Sequence, residues 1–126
     1  MGRRYLTSNE VEAALGRGKT IECFIGPFSS SGRTGVRHLA LKATGKRIEL
    51  KVFETADLGS PDFLDLGEFG SVNPDVEFGD ADVVMKFDDL AACFSYLEER
   101  WHGCTQALVN EGIVQDEYAD YLARDC

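Results

Sequence analysis

The sequence predicts an α+β fold, a small antiparallel sheet of about four to five strands packed against two or three helices. Three observations carry that expectation. Residues 47–55 alternate, with Ile48, Leu50 and Val52 set against Arg47, Glu49 and Lys51, the pattern of a strand with one packed and one wet face. Residues 36–43 form a second strand segment, joined to the first by Thr44-Gly45-Lys46, a compact hairpin connection. Leu90, Cys93, Phe94, Leu97 and Trp101 recur at helical spacing opposite Asp89, Ser95, Glu98, Glu99 and Arg100, so an amphipathic helix is available to cover the sheet. With 126 residues, 44% of them hydrophobic and 28% charged, the chain suits one domain spanning residues 1–126.

The other elements follow in chain order. Thr7 caps a first helix, Glu10 completes a capping box, and Leu6 with Val11 has the spacing of a hydrophobic staple. Val11, Ala14 and Leu15 make its apolar face, and Gly16 and Gly18 end it. Residues 20–25 alternate, with Ile21, Cys23 and Ile25 on one side and Phe24 on the other, and this strand is expected to stop at Gly26-Pro27. A glycine- and serine-rich loop, Gly26-Pro27-Phe28-Ser29-Ser30-Ser31-Gly32-Arg33-Thr34-Gly35, is expected next.

After Thr55 the regularity fades. Ser60-Pro61 reads as an N-cap followed by proline at the first helical position, which predicts a short helix over residues 61–69 carrying Phe63, Leu64 and Leu66. The remainder to Asp80 reads as a long acidic loop punctuated by Gly70, Asn73-Pro74 and Gly79. Val83, Val84 and Met85 predict a buried strand over residues 82–87, after which Asp88 is expected to cap the amphipathic helix and Gly103 to stop it. Residues 105–110 are open between strand and turn. Residues 116–124 close the chain as a helix, with Val114, Tyr118, Tyr121 and Leu122 on one side.

Charge is distributed unevenly along these elements. Residues 1–53 carry ten bases and four acids, residues 90–126 two bases and seven acids, and residues 54–89 eleven carboxylates against the single base Lys86. A net charge of −9 argues against nucleic acid or an anionic membrane as partner, because both attract lysine and arginine. The complementary partner is a basic protein. Concentrating carboxylates costs stability through self-repulsion, and it raises the encounter rate with a basic partner by about 10 to 10³-fold. Asp57, Asp62, Asp65, Glu68, Asp75, Glu77, Asp80 and Asp82 are the candidate partner-binding acids, with Phe63, Phe69 and Phe78 as apolar anchors. The alternative is that these phenylalanines tie the segment to the core while the acids keep it solvated.

Other motifs point less far. Asp75, Glu77, Asp80 and Asp82 put four hard oxygen donors within eight residues, but the spacing departs from the calcium loop of an EF-hand, and no metal or cofactor is expected. Paired-carboxylate catalysis needs two carboxyl groups fixed in a cleft, which nothing in the tract provides. The Ser/Gly loop with Arg33, Arg37 and His38 is the rival reading, a phosphate or small-ligand cradle, although it lacks the P-loop's glycine-lysine pair. Ser29, Ser30 and Ser31 have no nucleophile elbow around them, and His38 reads as a surface or sheet histidine. His102 and Cys104, with Cys93 upstream, lack the spacing of a zinc site. Cys23 and Cys93 fall at core positions, and reduced thiols fit the expected cytoplasmic location, since no membrane-length apolar run and no signal-like start are present.

A small acidic single-domain α+β protein with no assembled catalytic set resembles the immunity proteins that neutralise bacterial toxins, including those of contact-dependent growth inhibition systems. Asp57-Leu58-Gly59-Ser60-Pro61-Asp62-Phe63-Leu64-Asp65-Leu66 and Val109-Asn110-Glu111-Gly112-Ile113-Val114-Gln115-Asp116-Glu117-Tyr118 also have the look of small bacterial proteins. The resemblance implies a non-enzyme that clamps a basic toxin, often a nuclease, by presenting acids where the toxin expects phosphates. No site residue is carried over from it. An acidic subunit of a protein assembly is a further reading of the same features.

Overall fold

The structure, a computed structural model, describes residues 5–30, 33–56 and 81–124. Those described residues form a five-stranded antiparallel sheet and three helices: α1 (Ser8–Gly16), β1 (Ile21–Ser30), β2 (Arg33–Thr44), β3 (Arg47–Thr55), β4 (Val83–Phe87), α2 (Leu90–Arg100), β5 (Val109–Asn110) and α3 (Val114–Arg124). The strand order is β4-β3-β2-β1-β5, and every neighbouring pair is antiparallel. The predicted helix over residues 61–69 and the acidic loop up to Asp80 lie outside the described residues.

Local chemistry explains most boundaries. Thr7 Oγ1 accepts the Glu10 N–H at 3.2 Å and Glu10 Oε1 accepts the Thr7 N–H at 2.9 Å, the reciprocal capping box read from the sequence. Gly45 adopts φ +63 in the two-residue turn between β2 and β3, a conformation that a side chain resists. With that turn fixed, the register follows: Thr44 faces Arg47, Leu41 faces Leu50, and the ladder runs out to Arg37 opposite Glu54 and Val36 opposite Thr55.

The two faces of the sheet bury different clusters. On one face Ile21, Cys23, Leu39, Leu41, Leu50 and Val52 meet Val11, Ala14 and Leu15 of α1 and Cys93 and Leu97 of α2. On the other face, at the β5 end, Val36 and Val109 pack with Val114 and Tyr118 of α3, and Phe24 extends the cluster through ring contacts to Tyr118 and Tyr121. The alternation at residues 20–25 thus serves two cores, which is why Phe24 sits among the polar positions of its strand.

Three sequence expectations need correction. β1 continues through the Gly/Pro/Ser segment to Ser30, and β2 starts at Arg33, so most of the expected loop is hairpin. A bulge between Phe24 and Gly26, with Gly26 at φ +120, absorbs the register shift and lets Pro27 face Val36 and Ser29 face Thr34. β4 is an edge strand with Val83 42% and Val84 54% exposed, because among the described residues it has a partner on one side alone. The cap of α2 is Asp89, whose side chain accepts the Ala92 N–H at 2.8 Å, one residue later than expected.

Candidate partner-binding site

The acidic tract leaves the sheet after Thr55 and re-enters at Val83, so the described part of the candidate site is its root on β3 and β4. Because β3 and β4 are neighbours, with Val52 opposite Val83, the two ends of the tract are held side by side. Two hydrogen bonds close the gap. Asp82 N–H donates to the Val52 carbonyl at 2.9 Å, and Glu54 N–H donates to Asp82 Oδ2 at 2.8 Å. Asp82 is half-buried, so this candidate acid has a structural role at the root. Asp57, Asp62, Asp65, Glu68, Asp75, Glu77, Asp80, Phe63, Phe69 and Phe78 lie outside the described residues.

Each face of the root is fixed by a cross-strand pair that the β2–β3 register dictates. On the helix-covered face, Arg37 Nη2 and Nε donate to Glu54 Oε2 at 2.6 and 3.2 Å. The guanidinium lies 4.7 Å from the Phe28 ring centroid and 5.8 Å from that of Trp101, so its charge is held by a carboxylate and two aromatic faces. Both members are about three-quarters buried, which makes the pair stronger than an exposed one. On the opposite face His38 stacks on Phe53 with centroids 4.9 Å apart and planes 11° from parallel. Its Nε2 meets Thr55 Oγ1 at 3.2 Å.

His38 is 6% exposed, and among the described residues its Nδ1 has no hydrogen-bond partner. Burial lowers its pKa to about 4, and the charge of Asp82 opposes that shift without cancelling it. The imidazole is neutral at physiological pH. The expectation of a surface or sheet histidine therefore resolves into a buried sheet histidine. It was not readable as such because strand alternation alone does not say that Phe53 and Thr55 enclose it.

The rival cradle loses its loop to the β1–β2 hairpin. What remains is an open depression lined by Pro27, Phe28, Ser29, Thr34, Gly35 and Tyr121, in which neither Arg37 nor His38 takes part. The Arg33 side chain lies outside what the structure describes. Among the described residues no group of three histidine, cysteine or acidic side chains is placed to hold a metal ion. His102 is almost fully exposed, with Nδ1 3.9 Å from Glu98, whereas Cys93 and Cys104 are buried in the core.

The fold and this root define a small α+β protein whose β3–β4 connection carries its densest negative charge. Among the described residues no helix is long and apolar enough to cross a membrane. Compared with protein-family models, curated proteins and solved structures, the chain gives no match.

Proposed function

We propose that this chain is a cytoplasmic binding protein that neutralises a basic protein toxin of nuclease type by occluding it, as the immunity proteins it resembles do. The observation that supports this reading best is the clasp at the root of the tract. A segment with both ends fixed on adjacent strands presents its carboxylates with a smaller entropy loss on binding than a free tail would. Asp57, Asp62, Asp65, Glu68, Asp75, Glu77 and Asp80 supply charge that steers the partner and stands in for substrate phosphates. Phe63, Phe69 and Phe78 supply the desolvated centre, and Asp82 holds the root. The tract with its flanks is long enough for a standard interface of about 800 Å² per partner. Binding in place of catalysis fits the groups nearest the root, since Arg37 is taken up by Glu54 and His38 is enclosed by Phe53 and Thr55.

The direct experiment is co-expression with the protein encoded immediately upstream. The proposal expects the two to co-purify and the nuclease activity of the partner to be suppressed in the complex. A neighbour that neither binds nor is inhibited at low salt overturns it.

A further inference from the structure

Cys23 sits on β1 opposite Leu39, its side chain in the core beneath α1 and α2. Cys104 opens a 3₁₀ turn, Cys104–Gln106, that follows α2. That turn is held firmly. Gly103 redirects the chain at φ +88, and Glu98 accepts the N–H groups of Gly103 at 3.1 Å and Thr105 at 2.9 Å together with the Thr105 hydroxyl at 2.9 Å. The result is direct sulfur contact: the Cys23 and Cys104 sulfurs share a hydrogen bond across 3.5 Å, and the Cys23 thiol also faces the Cys104 carbonyl at 3.8 Å. Both residues are almost completely buried, and they are 81 positions apart in the sequence. A core cysteine used only as a small apolar residue needs no such sulfur partner.

We propose that Cys23 and Cys104 form a redox site, a reversible intramolecular disulfide that hydrogen peroxide closes and a small thiol reopens, tying β1 to the turn after α2. A disulfide is about 2.0 Å long, so the two sulfurs need to approach by about 1.5 Å from their 3.5 Å contact. In the first step the Cys104 sulfur attacks one peroxide oxygen and the O–O bond breaks. The Cys104 proton leaves with the departing hydroxide as water, and Cys104 becomes a sulfenic acid. In the second step the Cys23 sulfur attacks the Cys104 sulfur and the S–O bond breaks. Hydroxide leaves with the Cys23 proton as a second water. Two thiols give two electrons to one peroxide, and the products are one disulfide and two waters.

The order follows from the surroundings. The hydrogen bond with Cys104, then burial, hold the Cys23 thiol well above its ordinary pKa, so it is the poorer first nucleophile. Cys104 opens the turn and is 5% exposed against 1% for Cys23, so it is the sulfur that an oxidant reaches first. Cys93 on α2, whose thiol burial pushes up to about 12, is the bystander.

The test is a peptide map of the folded protein after peroxide treatment, alkylation and tryptic digestion without reduction. Cleavage after lysine and arginine puts Cys23 on residues 20–33, Cys93 on 87–100, Cys104 on 101–124 and Cys126 on 125–126. The expected product joins 20–33 to 101–124, weighs two hydrogen atoms less than their sum, and disappears on reduction. The oxidised protein also melts higher by about 10 °C, because the bridge closes a long loop in the unfolded chain. Cys93→Ala retains the link and Cys23→Ala loses it. If Cys23→Ala does not fold, the wild-type map decides alone. Full alkylation of Cys23 and Cys104 after peroxide, a link from 87–100 to 101–124, or a link that forms only in urea would each overturn the proposal.

Discussion

Acidification should destabilise this fold through His38. The imidazole is buried and its pKa falls from 6.5 to about 4 on folding, so the unfolded chain takes up a proton first as the pH drops. The sign follows directly. The neutral histidine makes no pH-dependent demand above 6.5, stability falls as the pH passes from 6.5 towards 4, and the loss levels off below that. At about 1.4 kcal/mol per unit, the fold loses about 2 kcal/mol between pH 8 and pH 5 and about 3 kcal/mol once the native histidine is itself protonated. Thr55 Oγ1 cannot offset this, because Nδ1 would become a second donor with no hydrogen-bond acceptor among the described residues. Urea unfolding across that range measures the slope, and the urea midpoint should drop by about 1 M or more. Carboxylate repulsion changes in the same range, so the informative quantity is the difference between the wild type and His38→Phe, which keeps a ring to stack on Phe53. Parallel pH profiles for the two proteins would refute the reasoning.

Two further perturbations probe the scaffold around the root. Arg37→Lys keeps the charge but loses the two-nitrogen grip on Glu54 and the stacking over Phe28 and Trp101. It should lower stability by about 1–2 kcal/mol, read from the urea midpoint at neutral pH. Glu98→Ala removes the acceptor for the Gly103 and Thr105 amides, and amide hydrogen exchange should speed up at those two positions while Leu39 and Leu50 stay protected. The backbone N–H of Thr105, then that of Gly103, hold the Glu98 carboxyl below its ordinary value. This contribution is therefore present above the unfolded value and is lost as the pH falls through the lower folded one.

Much of the fold was legible because local and tertiary preferences agree. The Thr7 capping box, the Val11-Ala14-Leu15 face and the strand over residues 47–55 each need only neighbours in sequence to be read, and all three stand in the structure. The root of the site was half legible. Once Gly45-Lys46 is taken as a two-residue turn, the antiparallel register alone brings Arg37 to Glu54 and His38 to Phe53. The Gly/Pro/Ser segment misled because those residues mark turns by default, whereas here one bulge at Gly26 lets the strand continue against β2. Val83 and Val84 misled differently, since an apolar run does not reveal whether a strand has neighbours on both sides. The meeting of Cys23 with Cys104 depends on how the turn after α2 docks on β1, and no local spacing encodes it.

The measurement that tests the central proposal most directly is the affinity of this chain for a basic nuclease domain recovered with it by co-expression, at low and at physiological salt. It should be made for the wild type and for a variant with Asp62, Asp65, Asp75 and Glu77 changed to their amides. A binding face built on acids predicts affinity that falls as salt rises, and a loss of roughly tenfold or more in the variant, mostly in the association rate and with a flatter salt dependence. Equal affinities for the two proteins, unchanged by salt, would contradict it.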